Sequence, residues 1–175
     1  MDYYDIAYET CDINKDLEAR LGYKRIFLTN KDVKIIDGST RYKNSEIEGS
    51  IFLNAGEDNI IGVLNASPRA VSFLDSKINK KALEQMAERK ILLCLPISIL
   101  TSSYGLQRSR NLYLMGKLFN YAKSMKISVS FVTLAKNNMN LCSYLQLIEL
   151  AKVLGADEEY ARKSISSTNK SLVEK

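Results

Sequence analysis

The sequence contains no histidine among its 175 residues. Histidine is the side chain whose ordinary pKa lies near neutrality, so its absence excludes an imidazole general base and a Ser-His-Asp triad. It also excludes histidine as a ligand for zinc or iron. The hydrolytic chemistry that remains is that of carboxylates with Mg²⁺, and its candidates are Asp5, Glu9, Asp37 and Asp75. No short motif links these four residues.

Cysteine is sparse as well. Cys11, Cys94 and Cys142 lie far apart and form no CxxC pair, so their spacing matches no zinc signature. Cys94 stands in the apolar segment ILLCLPI, which is typical of a small buried hydrophobic residue. Free thiols fit a reducing compartment.

Several sequence signals are missing. No window approaches eighteen uninterrupted apolar residues, so we predict no membrane span. The acidic N-terminus lacks the positive and apolar segments of a usual secretory signal, so we expect a cytoplasmic location. No GxGxxG follows the first predicted strand and no GxxxxGK[ST] occurs, which argues against a dinucleotide-binding fold and a P-loop.

The most informative absence is that of acidic residues between Glu88 and Glu149. This stretch contains eight basic residues: Arg89, Lys90, Arg108, Arg110, Lys117, Lys123, Lys126 and Lys136. Basic side chains without acidic neighbours leave a positive surface that favours a polyanion, and phosphate backbones are the commonest polyanion in a cell. The alternative is a solvated face of scattered charges with no binding role.

The charge is also uneven along the chain. Residues 1–60 hold eight basic and twelve acidic residues, for a net charge of −4. Residues 61–175 hold seventeen basic and eight acidic residues, for a net charge of +9. This asymmetry suggests two different faces, of which the basic one suits nucleic acid and the acidic one a protein partner.

Apolar patterning predicts alternating strands and helices. We predict strands over residues 4–8, 25–29, 33–36, 50–54, 59–64, 71–74, 91–97 and 127–134. We predict helices over 15–21, 79–90, 106–126, 141–154 and 157–164. Short apolar strands that alternate with helices indicate an α/β protein with parallel strands. We therefore expect one domain over residues 1–175, a TIM-barrel-like parallel barrel of seven or eight strands, shortened from the roughly 250 residues that are typical.

Several segments match a known family. They are AERKILLCLPIS at 87–98, Arg108-Ser109-Arg110, FVTLA at 131–135, LIELAKVLG at 147–155, and SPRAV at 67–71 followed by Leu74-Asp75. Together they resemble the ribonuclease P protein component 3 family of archaea and eukaryotes, over roughly residues 64–167. The family's Ser-Asp-Ala-like turn is absent here, where Thr133-Leu134-Ala135 stands. The resemblance implies a barrel related to metal-dependent phosphoesterases but without a working metal site.

The resemblance implies a function without catalysis by this chain. Ribonuclease P removes the 5′ leader from precursor tRNA, and its RNA carries the chemistry. A component 3 subunit would bind and stabilise that RNA, pair with component 2 in a heterotetramer, and meet precursor tRNA indirectly. No catalytic residue, metal, cofactor or membrane contact is then expected. The alternative, left open by the residues, is a stand-alone barrel hydrolase that uses carboxylates and Mg²⁺.

The candidate RNA-binding residues come from the basic half. They are Arg69, Arg89, Lys90, Arg108, Arg110, Lys117, Lys123 and Lys136. Arg69 follows Pro68 and matches the arginine of the family. Helical spacing places Arg110 and Lys117 opposite the apolar face of the long helix, so we predict that both are exposed.

Arg108 is the ambiguous candidate. Helical spacing places it on the buried side of the long helix, but one turn before the first buried residue of that helix. It could therefore reach phosphate over the barrel mouth or pair with an Asp at a strand end. Tyr104, Tyr113 and Tyr121 lie near this helix and could stack on bases, although a structural role is the simpler expectation for each.

Overall fold

The computed structural model describes residues 1–73 and 79–174. Its strands are β1 (Tyr4–Ala7), β2 (Arg25–Leu28), β3 (Ile35–Asp37), β4 (Ile51–Leu53), β5 (Ala70–Val71), β6 (Leu92–Pro96) and β7 (Val129–Val132). Its helices are α1 (Lys15–Leu21), α2 (Ile60–Asn65), α3 (Lys80–Arg89), α4 (Ser98–Thr101), α5 (Gly105–Ser124), α6 (Tyr144–Val153), α7 (Glu158–Ile165) and α8 (Ser167–Ser171).

All strand pairs are parallel. One sheet has the order β3-β4-β5-β6-β7, and β1 pairs with β2. Beyond the end of β7, the Leu134 N–H donates to Ile6 O at 2.8 Å and the Tyr8 N–H donates to Ala135 O at 2.9 Å, which joins the sheet to β1. A single parallel bridge between Thr29 and Val33 joins the other side. The strands thus follow one another around a small parallel barrel, and the predicted shortened TIM-barrel-like fold is confirmed.

Apolar residues form two layers because successive side chains of a strand point to opposite faces. One buried cluster fills the barrel interior, with Ile6, Phe27, Ile51, Cys94 and Val132 among its members. Alternate strand residues join a larger cluster beneath the helices. That cluster includes Ala7, Ile26, Phe52, Leu93 and Phe131, together with Met115, Leu118 and Phe119 of α5.

The C-terminal helix α8 closes the amino-terminal end of the barrel. Leu172, just beyond this helix, is fully buried in the interior cluster. The buried Asn169 amide donates to Tyr4 O at 2.8 Å and to Phe131 O at 2.7 Å, and its oxygen accepts from Ser130 Oγ at 2.6 Å. Asn169 therefore joins β1 to β7 near the amino-terminal end of the barrel. The backbone bonds of Leu134 and Ala135 join the same two strands near the carboxyl-terminal end.

One predicted strand is wrong. Residues 59–64 were expected to be extended, but Ile60–Asn65 forms α2. Its buried residues Ile60, Val63 and Leu64 recur at helical spacing, whereas Gly62 is exposed. A short apolar segment does not distinguish a strand from a buried helix by itself. The strand predicted over 71–74 lies at Ala70–Val71, and its last residue is outside the described part of the chain.

The helices predicted over 15–21 and 157–164 are confirmed to within one residue as α1 and α7, whereas the helix predicted over 141–154 begins only at Tyr144. The Asn14 side chain accepts from the Leu17 N–H at 2.9 Å, and Gly22 ends α1 at φ 77°. The Asp157 side chain accepts from the Tyr160 N–H at 2.8 Å at the start of α7. Of the helices in the described residues, none is long and apolar enough to cross a membrane.

Candidate nucleic-acid interface

The eight predicted RNA-binding residues do not form one patch. Arg69, Arg89 and Lys90 line a shallow depression of about 490 Å³ near the amino ends of β5 and β6. Arg108, Arg110, Lys117 and Lys123 belong to α5. Lys136 lies at the opposite end of the barrel, in a cavity beyond the carboxyl ends of the strands.

The two arginines of the depression are partly engaged in holding the fold. Arg69 donates from Nη1 to Leu172 O at 2.8 Å and so secures the chain that closes the barrel. Arg89 donates to Leu64 O at 3.0 Å and to Asn65 Oδ1 at 2.8 Å, at the C-terminal end of α2. A guanidinium has five N–H groups, so each arginine keeps donors for a ligand. Lys90 is exposed and makes no ion pair within the described residues.

Helix α5 presents a basic and aromatic face to solvent. Arg110, Tyr113, Lys117 and Tyr121 recur at spacings of three and four residues, and all are exposed. The opposite side of the helix buries Met115, Leu118, Phe119 and Ala122. The predicted exposure of Arg110 and Lys117 is therefore confirmed.

Two of the exposed tyrosines pair with basic side chains. Tyr113 is 66 % exposed, and Lys117 Nζ lies 6.0 Å from its ring centroid. Tyr104 is 78 % exposed, and the Arg108 guanidinium carbon lies 5.4 Å from its ring centroid. Exposed aromatic rings beside cations form an arrangement on which unpaired bases can stack.

Arg108 is not an internal residue. Its side chain is exposed, and Nε donates to Ser103 O at 2.7 Å. It forms no ion pair with any carboxylate of the described residues; Asp75 lies outside them. The alternative of an internal pair with a described strand-end Asp is therefore wrong.

Lys123 differs from the other cations of α5. Its Nζ lies 3.5 Å from Asp157 Oδ2 and 5.9 Å from the Tyr160 ring centroid. The other seven candidates make no ion pair with a described acidic residue. Because no described acidic residue forms an ion pair with Arg110 or Lys117, the middle of α5 keeps its positive charge, whereas Asp157 partly neutralises the C-terminal end.

Of the carboxylates proposed for a hydrolase, Asp5, Glu9 and Asp37 do not gather as a metal site, and Asp75 lies outside the described residues. Asp5 is completely buried, accepting from the Thr133 N–H at 2.8 Å and from Thr133 Oγ1 at 2.5 Å, and burial raises its pKa to about 6. It alternates with Tyr4 and Ile6, whose side chains fill the barrel interior, so Asp5 points outward. Asp37 ends β3 at the barrel mouth. Nowhere in residues 1–73 and 79–174 do three His, Cys, Asp or Glu side chains gather as metal ligands.

The comparisons with known proteins concern the fold. No family model and no curated protein matches the sequence. A chain in a cryo-EM structure of archaeal ribonuclease P with mature tRNA has a TM-score of 0.68 at 16 % identity, over 98 % of this chain and 80 % of that one.

Two other solved structures share the architecture more distantly. A prolidase complexed with N-methylphosphonate-L-proline has a TM-score of 0.57 at 11 % identity, over 89 % of this chain and 44 % of that one. The ochratoxinase of A. niger has a TM-score of 0.57 at 12 % identity, over 98 % of this chain and 54 % of that one. The present chain thus spans about half the length of these two proteins. These likenesses establish the barrel fold.

Proposed function

We propose that this protein is a non-catalytic subunit of ribonuclease P that binds and stabilises the RNA of that enzyme. The observation that carries the proposal is the basic face of α5, where Arg110 and Lys117 form no ion pair with a described residue, on a barrel that is similar to a chain of archaeal ribonuclease P. The sequence segments that resemble component 3 include the Arg108-Ser109-Arg110 start of this helix. The chemistry of tRNA processing then belongs to the RNA.

The geometry of α5 suits a phosphate backbone. The helix has 20 residues and is therefore about 30 Å long. A helix of this length can contact more than one phosphate of an RNA strand. Arg110 offers a planar fork of donors, and Lys117 offers a mobile point charge two turns further along. Tyr113 lies between them and is free to stack on an unpaired base. Phosphate contacts of this kind position an RNA without reading its sequence.

The depression formed by Arg69, Arg89 and Lys90 is a second basic surface in this proposal. Arg69 and Arg89 already contact backbone carbonyls, so they would bind phosphate with the donors that remain. Removing them would also weaken the fold. For that reason Arg110 and Lys117 are the better residues with which to test RNA binding. A stand-alone hydrolase is not proposed, since no observation in the described residues favours it.

The test compares two doubly substituted variants that lose the same charge. Arg110→Ala with Lys117→Ala removes two proposed phosphate contacts from α5. Lys80→Ala with Lys81→Ala removes two exposed charges from α3. Binding to ribonuclease P RNA is measured over a range of salt concentrations. The logarithm of the association constant decreases linearly with the logarithm of the salt concentration. We expect this dependence to become shallower by up to about two units of slope in the α5 variant and to stay unchanged in the α3 variant.

Both variants should unfold at the temperature of the unmodified protein, because all four side chains are exposed. An unchanged salt slope in the α5 variant would mean that the RNA contacts another face.

A further inference from the structure

A small cavity opens at the carboxyl ends of the barrel strands. Its volume is about 230 Å³, and residues from the ends of β1, β3, β4, β6 and β7 line it. Leu53, Pro96, Ile99 and Leu134 provide apolar walls. Drug-sized ligands occupy pockets of roughly 300–1,000 Å³, so this cavity suits a single ring system.

One side of the cavity offers hydrogen-bond acceptors. Asp37 Oδ1 accepts from the Ser39 N–H at 3.0 Å, from Ser39 Oγ at 2.7 Å and from Asn54 Nδ2 at 3.1 Å. Asp37 Oδ2 and Asn54 Oδ1 accept no bond from the described residues. Partial burial alone would raise the pKa of Asp37, but the bonds from Ser39 and Asn54, with the charge of Lys136, lower it overall. The carboxylate is therefore ionised at neutral pH.

The other side of the cavity offers donors. Lys136 Nζ lies 5.6 Å from the ring centroid of Tyr8 and makes no ion pair with a described carboxylate. Asn140 also lines the cavity, and its side-chain amide has no hydrogen-bond partner among the described residues. A ligand would thus meet acceptors at Asp37 and Asn54 and donors at Lys136 and Asn140, with apolar surface between them.

The backbone around the cavity is strained. Asn54 and Leu134 follow β4 and β7 and have φ angles of 54° and 44°. Asparagine adopts this left-handed conformation readily, whereas leucine seldom does, so Leu134 is the strained residue of the two. Such strain persists where the surrounding structure enforces it, often at ligand sites. Leu134 lines the cavity, so this strain lies beside polar groups that have no partner among the described residues.

We propose that this cavity binds a guanine base. Guanine carries two neighbouring donors, N1–H and the N2 amino group, which match Asp37 Oδ2 and Asn54 Oδ1. Its O6 and N7 atoms are acceptors on another edge, which match Lys136 and Asn140. Its flat ring suits the apolar walls and the side chain of Tyr8. Adenine and cytosine each present a single amino group beside an acceptor, so neither satisfies both oxygens.

The base could come from a free guanine nucleotide or from an unpaired guanosine of an RNA strand. The recognition chemistry is the same in both cases, and it does not depend on the ribonuclease P proposal. A free nucleotide would need room for its ribose and phosphate outside the cavity, and a strand would need an extruded base.

The experiment titrates the whole protein with GMP, IMP, AMP and ribose 5-phosphate by calorimetry or NMR. IMP lacks the amino group at position 2, so we expect it to bind roughly tenfold more weakly than GMP. We expect AMP to bind more weakly still and ribose 5-phosphate not to bind. Two short oligoribonucleotides, with an unpaired G or A at one position, form the second arm.

Asp37→Asn should weaken GMP binding roughly tenfold or more, since it replaces a charged acceptor. Asparagine keeps an oxygen for Ser39, so the local turn should persist. Glu9→Gln is the matched control, because it removes an exposed carboxylate beyond β1 that does not line the cavity. Selective binding of GMP identifies a nucleotide site, and selective binding of only the G-containing strand identifies an RNA site. Equal affinities in both arms, or no binding in either, would overturn the proposal.

Discussion

Asp5 is a carboxylate sealed inside the protein, and its ionisation should set part of the pH dependence of stability. Burial raises its pKa from an ordinary 3.8 to about 6. Between these pH values the folded protein holds a proton that the unfolded chain releases, so the free energy of unfolding falls as pH rises from about 4 to about 6. The linked change is at most on the order of 3 kcal/mol.

Asp5→Asn should remove this dependence. The amide oxygen can still accept from the Thr133 N–H, and the Thr133 hydroxyl can donate to Ile6 O, 3.3 Å away. We expect the variant to be more stable than the unmodified protein at pH 7.5, by about 1–3 kcal/mol, and equally stable at pH 4. Urea unfolding at several pH values measures the free energy of unfolding of the variant and of the unmodified protein. Glu9→Gln, at an exposed position, should leave the free energy of unfolding unchanged at both pH values. If Asp5→Asn lowered the stability of the protein equally at both pH values, the explanation by Asp5 ionisation would be wrong.

At the scale of elements, α8 contributes more than its five residues suggest. It brings Asn169 against three polar groups of β1 and β7, all in the buried interior. Asn169→Ala would leave these groups without their partner and open a cavity. Each buried polar group that loses its bond costs about 1–3 kcal/mol, so we expect the free energy of unfolding to fall by about 3 kcal/mol or more.

Chemical denaturation with and without the substitution measures this loss. Ser167→Ala is the matched control, because Ser167 is exposed on the same helix. If Asn169→Ala and Ser167→Ala had equal effects, the contact between β1 and β7 would not depend on α8.

Elements could be predicted where the sequence carries local signals. Asn14, Gly22 and Asp157 mark helix ends through their own backbone and side-chain chemistry, and the structure has the ends there. α2 was predicted as a strand because its apolar residues are consecutive, and only tertiary packing determines which of them is buried. α8 was not predicted, since the segment STNKS has no apolar periodicity and its contacts are with backbone groups far away in the sequence.

In the candidate sites, too, some features could be predicted from local sequence signals and others depend on tertiary packing. The exposure of Arg110 and Lys117 follows from helical spacing and was predicted. The bonds of Arg69 and Arg89 to distant carbonyls, and the meeting of Asp37, Asn54 and Lys136 at one cavity, depend on barrel closure. No local pattern in the sequence contains that information.

For the whole molecule, the uneven charge leads to a prediction about a protein partner. Residues 1–60 carry a net charge of −4 and form the half of the barrel from β1 to β4. We propose ribonuclease P component 2 as the partner, and we expect the two proteins to elute as one larger species in size-exclusion chromatography at micromolar concentrations. The Arg110→Ala, Lys117→Ala variant should still form this complex, which separates the protein contact from RNA binding. Separate elution of the two proteins would count against the partner.

The position of Asn169 in the chain has a consequence for synthesis on the ribosome. β1 is made before the other strands described here, yet the amide that fastens it to β7 is made 165 residues after Tyr4. Before then β1 can pair with β2 on one edge and, once residues 134 and 135 are made, with the end of β7 on the other. The barrel can therefore pair its strands progressively during translation, but its amino-terminal end is fastened only after the segment around residue 169 has left the ribosome.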